Sequence, residues 1–228
     1  MKIRPITIAI VLATAISSCT VDTYPLPEET LTGKLICPDG TNLITEQPNG
    51  FKIRMNEIVD GKIADIPQDF WGKADGTFRN TRIFEGSYIV QPIEGAFFEV
   101  DPVEIDIRGT VNINFEVIPY LTILSDITNN GPDVIARVRI QKADSAGKIS
   151  KARLLVSKWN PNVGMNQVDF EEVQDLSGLS DDEIIKTTYT LKLLDCMEPG
   201  VKYYARIAAL SENTSGRYNF SEVIELEY

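Results

Sequence analysis

DGTFRNTRIFEGSYIV, residues 75–90, carries the strongest fold signal of this chain. The Asp-Gly pair at its start predicts a hairpin turn at Gly76, and the later Glu-Gly pair predicts a second turn at Gly86. An aromatic residue follows the first turn at a position expected to be buried. After the second turn, Tyr88 and Val90 occupy alternate positions and therefore point to one side of a strand. The stretch predicts two short β-strands whose apolar side chains point inward.

Strand-like runs of the same kind flank this stretch. Phe51, Ile53 and Met55 alternate with polar side chains, which is the period-two pattern of a half-buried strand. Six or seven such runs, separated by Gly, Asp or Pro, predict a β-sandwich over residues 28–118, the first unit. Its expected strands are Leu31–Cys37, Phe51–Ile58, Thr77–Phe84, Ser87–Pro92, Val103–Ile107 and Val111–Ile118.

Pro119 marks the expected boundary to a second β-rich unit, residues 119–228. Seven strand-like runs in about 110 residues predict an immunoglobulin-like or fibronectin type III sandwich. Ser180 and Glu183 fit a capping box, so one helical turn is expected before Thr187. The chain is therefore predicted to be all-β, with two tandem β-sandwich domains. The expected strands of the second unit are Tyr120–Ile127, Val134–Gln141, Ile149–Ser157, Gln167–Val173, Thr187–Leu194, Val201–Leu210 and Phe220–Tyr228.

The beginning of the chain predicts export and lipidation. A basic tip precedes the apolar run Ile6–Ile16, and two serines directly precede Cys19. This is the order of a bacterial lipoprotein signal, in which the cysteine after the cleavage site receives the lipid. The apolar run is shorter than the roughly 20 residues that span a bilayer. We expect residues 1–18 to be the signal peptide, residues 19–27 to be a lipidated tether, and the protein to be anchored to the outer membrane, facing either the cell surface or the periplasm.

The charge balance excludes some partners. The formal net charge is −11, from 22 basic and 33 acidic residues. Nucleic acid binding takes most of its affinity from phosphates neutralised by basic side chains, so this balance argues against it. The same balance argues against adsorption of the protein body to anionic lipid headgroups. Membrane contact is therefore expected through the lipid anchor only.

The chain contains no histidine. This removes Ser-His-Asp and Cys-His nucleophile activation and histidine-ligated zinc. Catalysis by two carboxylates, as in glycosidases, remains open. Acidic clusters such as Asp181–Glu183 lack the spaced pattern of a calcium loop. We predict no catalytic residue, no metal site and no cofactor.

Two cysteines follow Cys19. Cys37 and Cys196 fall in different predicted units, and no spacing motif accompanies either of them. An exported protein could join them in a disulfide. Two separate thiols, buried or half-buried, are the favoured expectation.

Two tryptophans offer the chemistry of a sugar-binding surface. Carbohydrate sites combine an aromatic face with amides and carboxylates that hydrogen-bond hydroxyl groups. Phe70 and Trp71 lie in a predicted connection before the turn at Gly76, and Trp159 with Asn160 lies in a second, turn-rich connection. The alternative is that each tryptophan packs on its own sandwich or at the boundary between the units. We predict a ligand contact at Trp71 or Trp159.

Two local resemblances support the sandwich folds. The run MEPGVKYYARIAA, residues 197–209, resembles the fibronectin type III pattern L-x-P-G-x-x-Y-x-x-R-V-x-A. By this resemblance Tyr203 is the tyrosine corner, whose hydroxyl bonds to upstream backbone. Residues 75–90 are similar to the regulatory β-sandwich attached to many carboxypeptidases, with D-G-x-F followed by x-G-x-Y-x-V.

Residues 24–33, 45–54 and 75–90 together resemble one family closely. It is the Bacteroidetes surface-lipoprotein family called domain of unknown function 3823. Such proteins tend to be encoded beside SusC/SusD-like glycan import systems. The resemblance therefore implies an accessory role, with an oligosaccharide or polysaccharide and a SusC/SusD-like transporter as partners. It supplies no site residues.

Three functional hypotheses follow. The leading one is a non-catalytic outer-membrane lipoprotein that binds a glycan or a partner transporter. A carboxylate-only glycosidase is the first alternative, and it would need two carboxylates in one cleft. A structural spacer or protein-partner module is the second.

Overall fold

The computed structural model describes residues 26–228. The predicted signal peptide and the predicted lipidation residue, Cys19, lie outside this range. Strands make up nearly all of the regular structure in the described part, where one short helix interrupts them. The predicted all-β class is confirmed. No helix between residues 26 and 228 has the length and apolar character needed to cross a membrane.

The first unit consists of two sheets packed face to face. Its strands are β1 (Glu29–Ile36), β2 (Lys52–Val59), β3 (Lys62–Ile63), β4 (Gln68–Trp71), β5 (Thr77–Ile83), β6 (Gly86–Ile93), β7 (Val103–Ile107) and β8 (Thr110–Glu116). One sheet has the order β5-β1-β8, and the other has the order β3-β2-β6-β7 with β4 also paired to β2. The ladder between β1 and β8 is parallel, whereas the other ladders of this unit are antiparallel.

The core of the first unit lies between these sheets. Tyr88 and Val90 are fully buried there, together with Ile53 and Met55 of the neighbouring strand β2. The expected turn forms at Gly76, whose N–H donates to the Lys73 carbonyl oxygen at 3.1 Å. The expectation that this turn closes a hairpin is wrong, because β4 and β5 belong to different sheets, and the chain changes sheet again between β5 and β6. Apolar residues alternate in the same way in a strand of either sheet. The local pattern therefore does not show to which sheet β4, β5 or β6 belongs.

Phe70 and Trp71 were predicted to lie in a loop, and this prediction is wrong. These residues form the end of β4, which pairs antiparallel with the Lys52–Met55 part of β2. A strand of four residues is too short to show a periodic pattern in the sequence. Its existence depends on the hydrogen bonds that β2 supplies from elsewhere in the chain.

The second unit is also a pair of sheets. Its elements are β9 (Leu121–Asn130), β10 (Asp133–Lys142), β11 (Ile149–Lys158), β12 (Phe170–Asp175), α1 (Asp181–Lys186), β13 (Tyr189–Leu193), β14 (Lys202–Ser211), β15 (Asn219–Phe220) and β16 (Ile224–Glu227). One sheet has the order β13-β10-β9, and the other has the order β12-β11-β14-β15 with β16 also paired to β14.

Local signals in this unit correspond to particular hydrogen bonds. Ser180 caps α1, and its side chain and that of Glu183 form the reciprocal bonds of a capping box. The Tyr203 hydroxyl accepts the Glu198 N–H at 3.1 Å, which is the geometry of a tyrosine corner. The single last strand expected from Phe220 onward is divided into β15 and β16, because Ser221 Oγ accepts the Ile207 N–H in place of a regular ladder bond.

The thiols of Cys37 and Cys196 are both free, one half-buried and the other buried. Burial raises the pKa of each thiol. Both thiols are therefore protonated and unreactive near neutral pH. The expectation of two separate thiols is confirmed.

Candidate ligand-binding site

The outer face of the larger sheet of the second unit is covered instead of facing solvent. Leu155 and Ala208 point outward from β11 and β14, and Val163 and Phe220 close over them. Ile44 of the first unit packs against this cluster. The two units therefore share an apolar contact as well as a covalent connection.

Arg206 lies under this cover and is only 1% exposed. Its guanidinium donates to the carbonyl oxygens of Val163, at 3.0 Å, and Ser221, at 2.9 and 3.1 Å, and lies 4.2 Å from the centre of the Phe220 ring. Burial lowers the pKa of Arg206 to about 9, and the charge of Glu46 opposes this shift. The side chain is thus still cationic at neutral pH and ties two covering segments to the sheet.

Glu46 supplies the matching negative charge from the first unit. Its side chain is 5% exposed, and Oε2 accepts the N–H of Met165 at 2.8 Å. A buried carboxylate is costly unless it is hydrogen-bonded and lies near a cation. The Glu46 contact therefore holds the segment around Met165 against the first unit.

Asn219 makes a second bridge between the units. Its Oδ1 accepts the Leu121 N–H at 3.0 Å, and its Nδ2 donates to the Ala96 carbonyl oxygen at 2.8 Å. Nearby, the Ser215 hydroxyl donates to the Gly95 carbonyl oxygen at 3.1 Å. These buried or half-buried bonds fix the second unit on the first.

Trp159 begins the segment that runs to this junction. We call residues 159–169 the Trp159 loop. The side chain is 61% exposed, and its backbone adopts φ of 67°, a left-handed conformation that is rare for a bulky residue. Its N–H donates to the Lys202 carbonyl oxygen at 3.2 Å. The loop thus presents the indole ring to solvent from a defined backbone position.

Hydrogen bonds inside the Trp159 loop define its shape. Asp169 Oδ2 accepts the Lys158 N–H at 2.6 Å and the Ser157 hydroxyl at 3.1 Å. Asn160 accepts the Asn162 N–H at 2.9 Å through Oδ1 and donates to Gln167 Oε1 at 3.0 Å through Nδ2. Asn160, a predicted ligand residue, therefore has both ends of its amide engaged within the loop.

Trp71, the other predicted ligand residue, lies in a different setting. Its ring, 37% exposed, is flanked by Lys52 Nζ at 4.7 Å and by the guanidinium carbon of Arg217 at 5.4 Å. Phe70 is half-buried on the core of the first unit, with its ring 6.3 Å from that of Phe78. This arrangement fits a tryptophan that packs at the junction between the units, which was the alternative to ligand binding.

The two tryptophans belong to different surfaces. Trp159 follows the Lys158 end of β11, where β14 begins. Arg217, which contacts Trp71, comes after the Ser211 end of β14. Strands of this length extend about 30 Å, because each residue adds roughly 3.3 Å. A ligand site built around both rings is therefore not formed.

A groove of about 480 Å³ lies between the units and was not predicted. Its walls come from the segment after β1, from β9 and β10, and from the segment between β15 and β16. Asp39 and Glu222 are its exposed carboxylates, and Cys37 also lines it. Hydrogen bonds from the Thr41 hydroxyl and N–H lower the pKa of Asp39. A lowered pKa is the opposite of what a general acid in a glycosidase needs.

The architecture of the first unit agrees with a comparison of sequences. Residues 29–118 match a family model described as a protein of unknown function (DUF3823), N-terminal domain. The first unit is therefore similar to the DUF3823 N-terminal domain. The chain has no significant match among curated protein sequences.

Solved structures extend the likeness to both units. A DUF3823 family protein from Bacteroides uniformis is 23% identical, with a TM-score of 0.77 over 88% of this chain and 99% of that one. A DUF3823 family protein from Parabacteroides merdae is 21% identical, with a TM-score of 0.69 over 89% and 100% of the two chains. A further Bacteroides uniformis structure, named as a candidate carbohydrate-binding protein, is 21% identical, with a TM-score of 0.71 over 89% and 100%. At these identities the likeness establishes the fold.

The sequence analysis did not identify Arg206 and Glu46, which hold the Trp159 loop in place. An arginine at an outward position of a strand normally reaches solvent, and a glutamate in a polar loop normally does the same. One weak signal was present, since Arg206 lies within a run of small and apolar residues, Ala205–Ala209. The covering segments that bury it come from distant parts of the chain.

Proposed function

We propose that this chain is a non-catalytic carbohydrate-binding protein, anchored to the outer membrane by a lipid on Cys19. In this proposal it is an accessory component of a SusC/SusD-like uptake system, and the Trp159 loop contacts the glycan. The observation that carries the proposal is the exposed indole of Trp159 on a loop whose backbone is held by internal hydrogen bonds and by Glu46.

The chemistry of this loop supports sugar binding. An aromatic face stacks on the apolar face of a pyranose ring, and nearby amides bond to its hydroxyl groups. Asn162 and Asn166 are exposed in the same loop, beside the engaged amide of Asn160. Because the loop is already ordered, little conformational entropy is lost on binding. The carbohydrate-binding name attached to a structure of the same fold points in the same direction.

Replacing Trp159 with alanine should weaken glycan binding about tenfold to a hundredfold, if stacking on a sugar resembles stacking on a nucleobase. The full chain in non-ionic detergent would be run in affinity gels that contain a panel of polysaccharides. Trp71→Ala is the matched control, and it should bind as the wild type does. Binding that survives Trp159→Ala, or that is lost only in Trp71→Ala, would move the site away from this loop.

Strand directions support an arrangement in which the ligand loop faces away from the anchor. The chain enters the first unit at Glu29, beside Gly109, and the opposite end of β1 at Ile36 contacts Val117 at the junction. Trp159 lies at the end of β11 that is remote from the Ser215–Gly95 bridge, whereas Met165, further along the same loop, reaches Glu46. A tether before Glu29 would therefore hold the membrane end of the protein opposite to Trp159.

Cys19→Ala should move the protein from the membrane to the soluble fraction, because the lipid supplies the membrane affinity, about 0.8 kcal/mol for each buried CH₂ group. Fractionation of cells that express each form, with an immunoblot, measures the distribution. Ser18→Thr, which leaves the cysteine in place, is the control. A Cys19→Ala protein that stays in the membrane after signal processing would contradict lipid anchoring.

The glycosidase alternative has one observation in its favour, since Asp39 and Glu222 both line the groove between the units. Incubation of the full chain with the same polysaccharide panel, followed by a reducing-sugar assay, tests it. Sugar release that is abolished by Asp39→Asn or Glu222→Gln would replace the binding proposal. If the protein neither binds nor cleaves any polysaccharide of the panel, the spacer or protein-partner role would be favoured.

A further inference from the structure

The outer face of the sheet β13-β10-β9 carries a group of basic side chains. Along β10, buried and exposed residues alternate, so Val138 points inward while Arg137 and Arg139 point to solvent. Lys192 is exposed on the neighbouring strand β13. We call Arg137, Arg139 and Lys192 the basic face.

The strand register brings these three side chains close together. Arg137 and Arg139 are two residues apart on one strand, which separates them by about 7 Å. Lys192 is paired with Ile135 and is therefore the diagonal neighbour of Arg137, about 7–8 Å away. All three side chains are exposed, so the cations form a triangle on a surface that is open to solvent in the described part of the chain.

Negative charge balances this triangle only in part. None of the ion pairs among the described residues includes Arg137, Arg139 or Lys192. Asp126, opposite Arg137 on β9, and Asp133, at the start of β10, are the two acidic side chains that point the same way on these strands, and they leave one positive charge in excess. The local charge is thus positive on a chain whose net charge is −11.

Neutral side chains surround the cations, and they include two apolar ones, Leu124 opposite Arg139 and Ile135 opposite Lys192. Thr122, Thr128, Gln141 and Thr190 lie on the same outward face, where their hydroxyl and amide groups are exposed. These groups offer hydrogen bonds to sugar hydroxyls, whereas arginine forks match carboxylate or sulfate groups through two parallel bonds. The combination fits a ligand that carries both kinds of group.

We propose that the basic face binds an anionic polysaccharide, one that carries carboxylate or sulfate groups along its chain. The charge of the basic face is complementary to such a polymer, and a flat sheet surface accommodates an extended strand of sugars. This surface is separate from the Trp159 loop, so the proposal does not depend on the function assigned to that loop.

Affinity gels that contain polygalacturonate test the proposal with the full chain in non-ionic detergent. The wild type should be retarded, and the retardation should weaken between about 50 and 300 mM salt because salt screens exposed charges. The triple variant Arg137→Gln, Arg139→Gln, Lys192→Gln should bind roughly tenfold more weakly at low salt. Its unfolding temperature should match the wild type, since all three side chains are exposed.

A second triple variant controls for net charge. Lys34→Gln, Arg79→Gln, Arg82→Gln removes the same number of positive charges from the first unit, where none of the ion pairs of the described residues includes them. It should bind polygalacturonate as the wild type does. Equal losses in both triple variants, or no retardation of the wild type, would overturn the proposal.

Two further outcomes would assign this face to another partner and so reject the proposal. Binding to equimolar phosphatidylglycerol and phosphatidylcholine vesicles, without binding to polygalacturonate, would indicate a membrane contact. A wild-type dimer in sedimentation that the basic-face triple variant abolishes would indicate a contact between two copies of the chain.

Discussion

Replacing Arg206 with methionine is expected to lower the free energy of unfolding by about 3–5 kcal/mol. The two side chains are similar in length, so the loss comes mainly from polar contacts. The change leaves the carbonyl oxygens of Val163 and Ser221 without their buried donor and leaves Glu46 without a nearby cation. For a chain of this size the unfolding temperature should fall by roughly 10 °C, which circular dichroism during heating measures.

Matched variants separate the charge of Arg206 from its hydrogen bonds. Arg206→Lys keeps the charge but cannot reach two carbonyl oxygens with a planar fork, so it should fall between wild type and Arg206→Met. Combining Glu46→Met with Arg206→Met removes both charges, and the pair should be less destabilised than the sum of the two single variants. An Arg206→Met protein within about 0.5 kcal/mol of wild type would show that the guanidinium is hydrated and not buried.

The same substitution connects the junction to the ligand loop. Val163, which Arg206 holds through its carbonyl oxygen, belongs to the Trp159 loop. Loss of that bond should loosen the loop and increase its ordering cost on binding. Glycan affinity should therefore fall in Arg206→Met, by less than in Trp159→Ala, at temperatures where the variant remains folded.

Replacing Gly33 with alanine is the second substitution with a large expected effect. Gly33 lies in β1, between β5 and β8, and a Cβ there would stand 1.7 Å from the Ile113 carbonyl oxygen and 2.6 Å from the Phe78 ring. The Ile113 carbonyl oxygen belongs to the backbone of β8 and cannot move aside as the end of a flexible side chain can. The new Cβ would therefore force β1 and β8 apart. We expect a loss of about 3 kcal/mol or more, measured by urea unfolding.

Gly178 offers the matched control for this substitution. A Cβ at Gly178 meets no atom within 4 Å, and its backbone is not in the left-handed region. Gly178→Ala should therefore stay within about 0.5 kcal/mol of wild type. If Gly33→Ala were equally harmless, the parallel pairing of β1 with β8 in this register would be wrong.

Much of the fold was predictable because its signals are local. Alternation along residues 51–58 and 87–92, the turn at Gly76 and the capping box at Ser180 act within a few residues. Such signals survive in a single sequence, and the strands and the helical turn formed close to the expected positions. The all-β class follows from them, since no long amphipathic period competes with strand alternation.

Features that depend on distant partners were not predictable in this way. β4 forms because it pairs with β2. The two strands of residues 75–90 lie in different sheets, because β5 pairs with β1 and β6 pairs with β2. Local alternation describes which face of a strand is apolar, but it carries no information about which strand lies beside it.

The same distinction between local and long-range information applies to the candidate sites. The sequence alone determined that tryptophans, amides and carboxylates were available, that histidine chemistry was absent, and that the chain is acidic. Only the tertiary structure decided that Trp159 is exposed while Trp71 is flanked by cations, that Arg206 is buried beneath two covering segments, and that Arg137, Arg139 and Lys192 share one face. Composition and local pattern specify the chemistry of side chains, whereas burial and proximity arise from contacts between residues far apart in the chain.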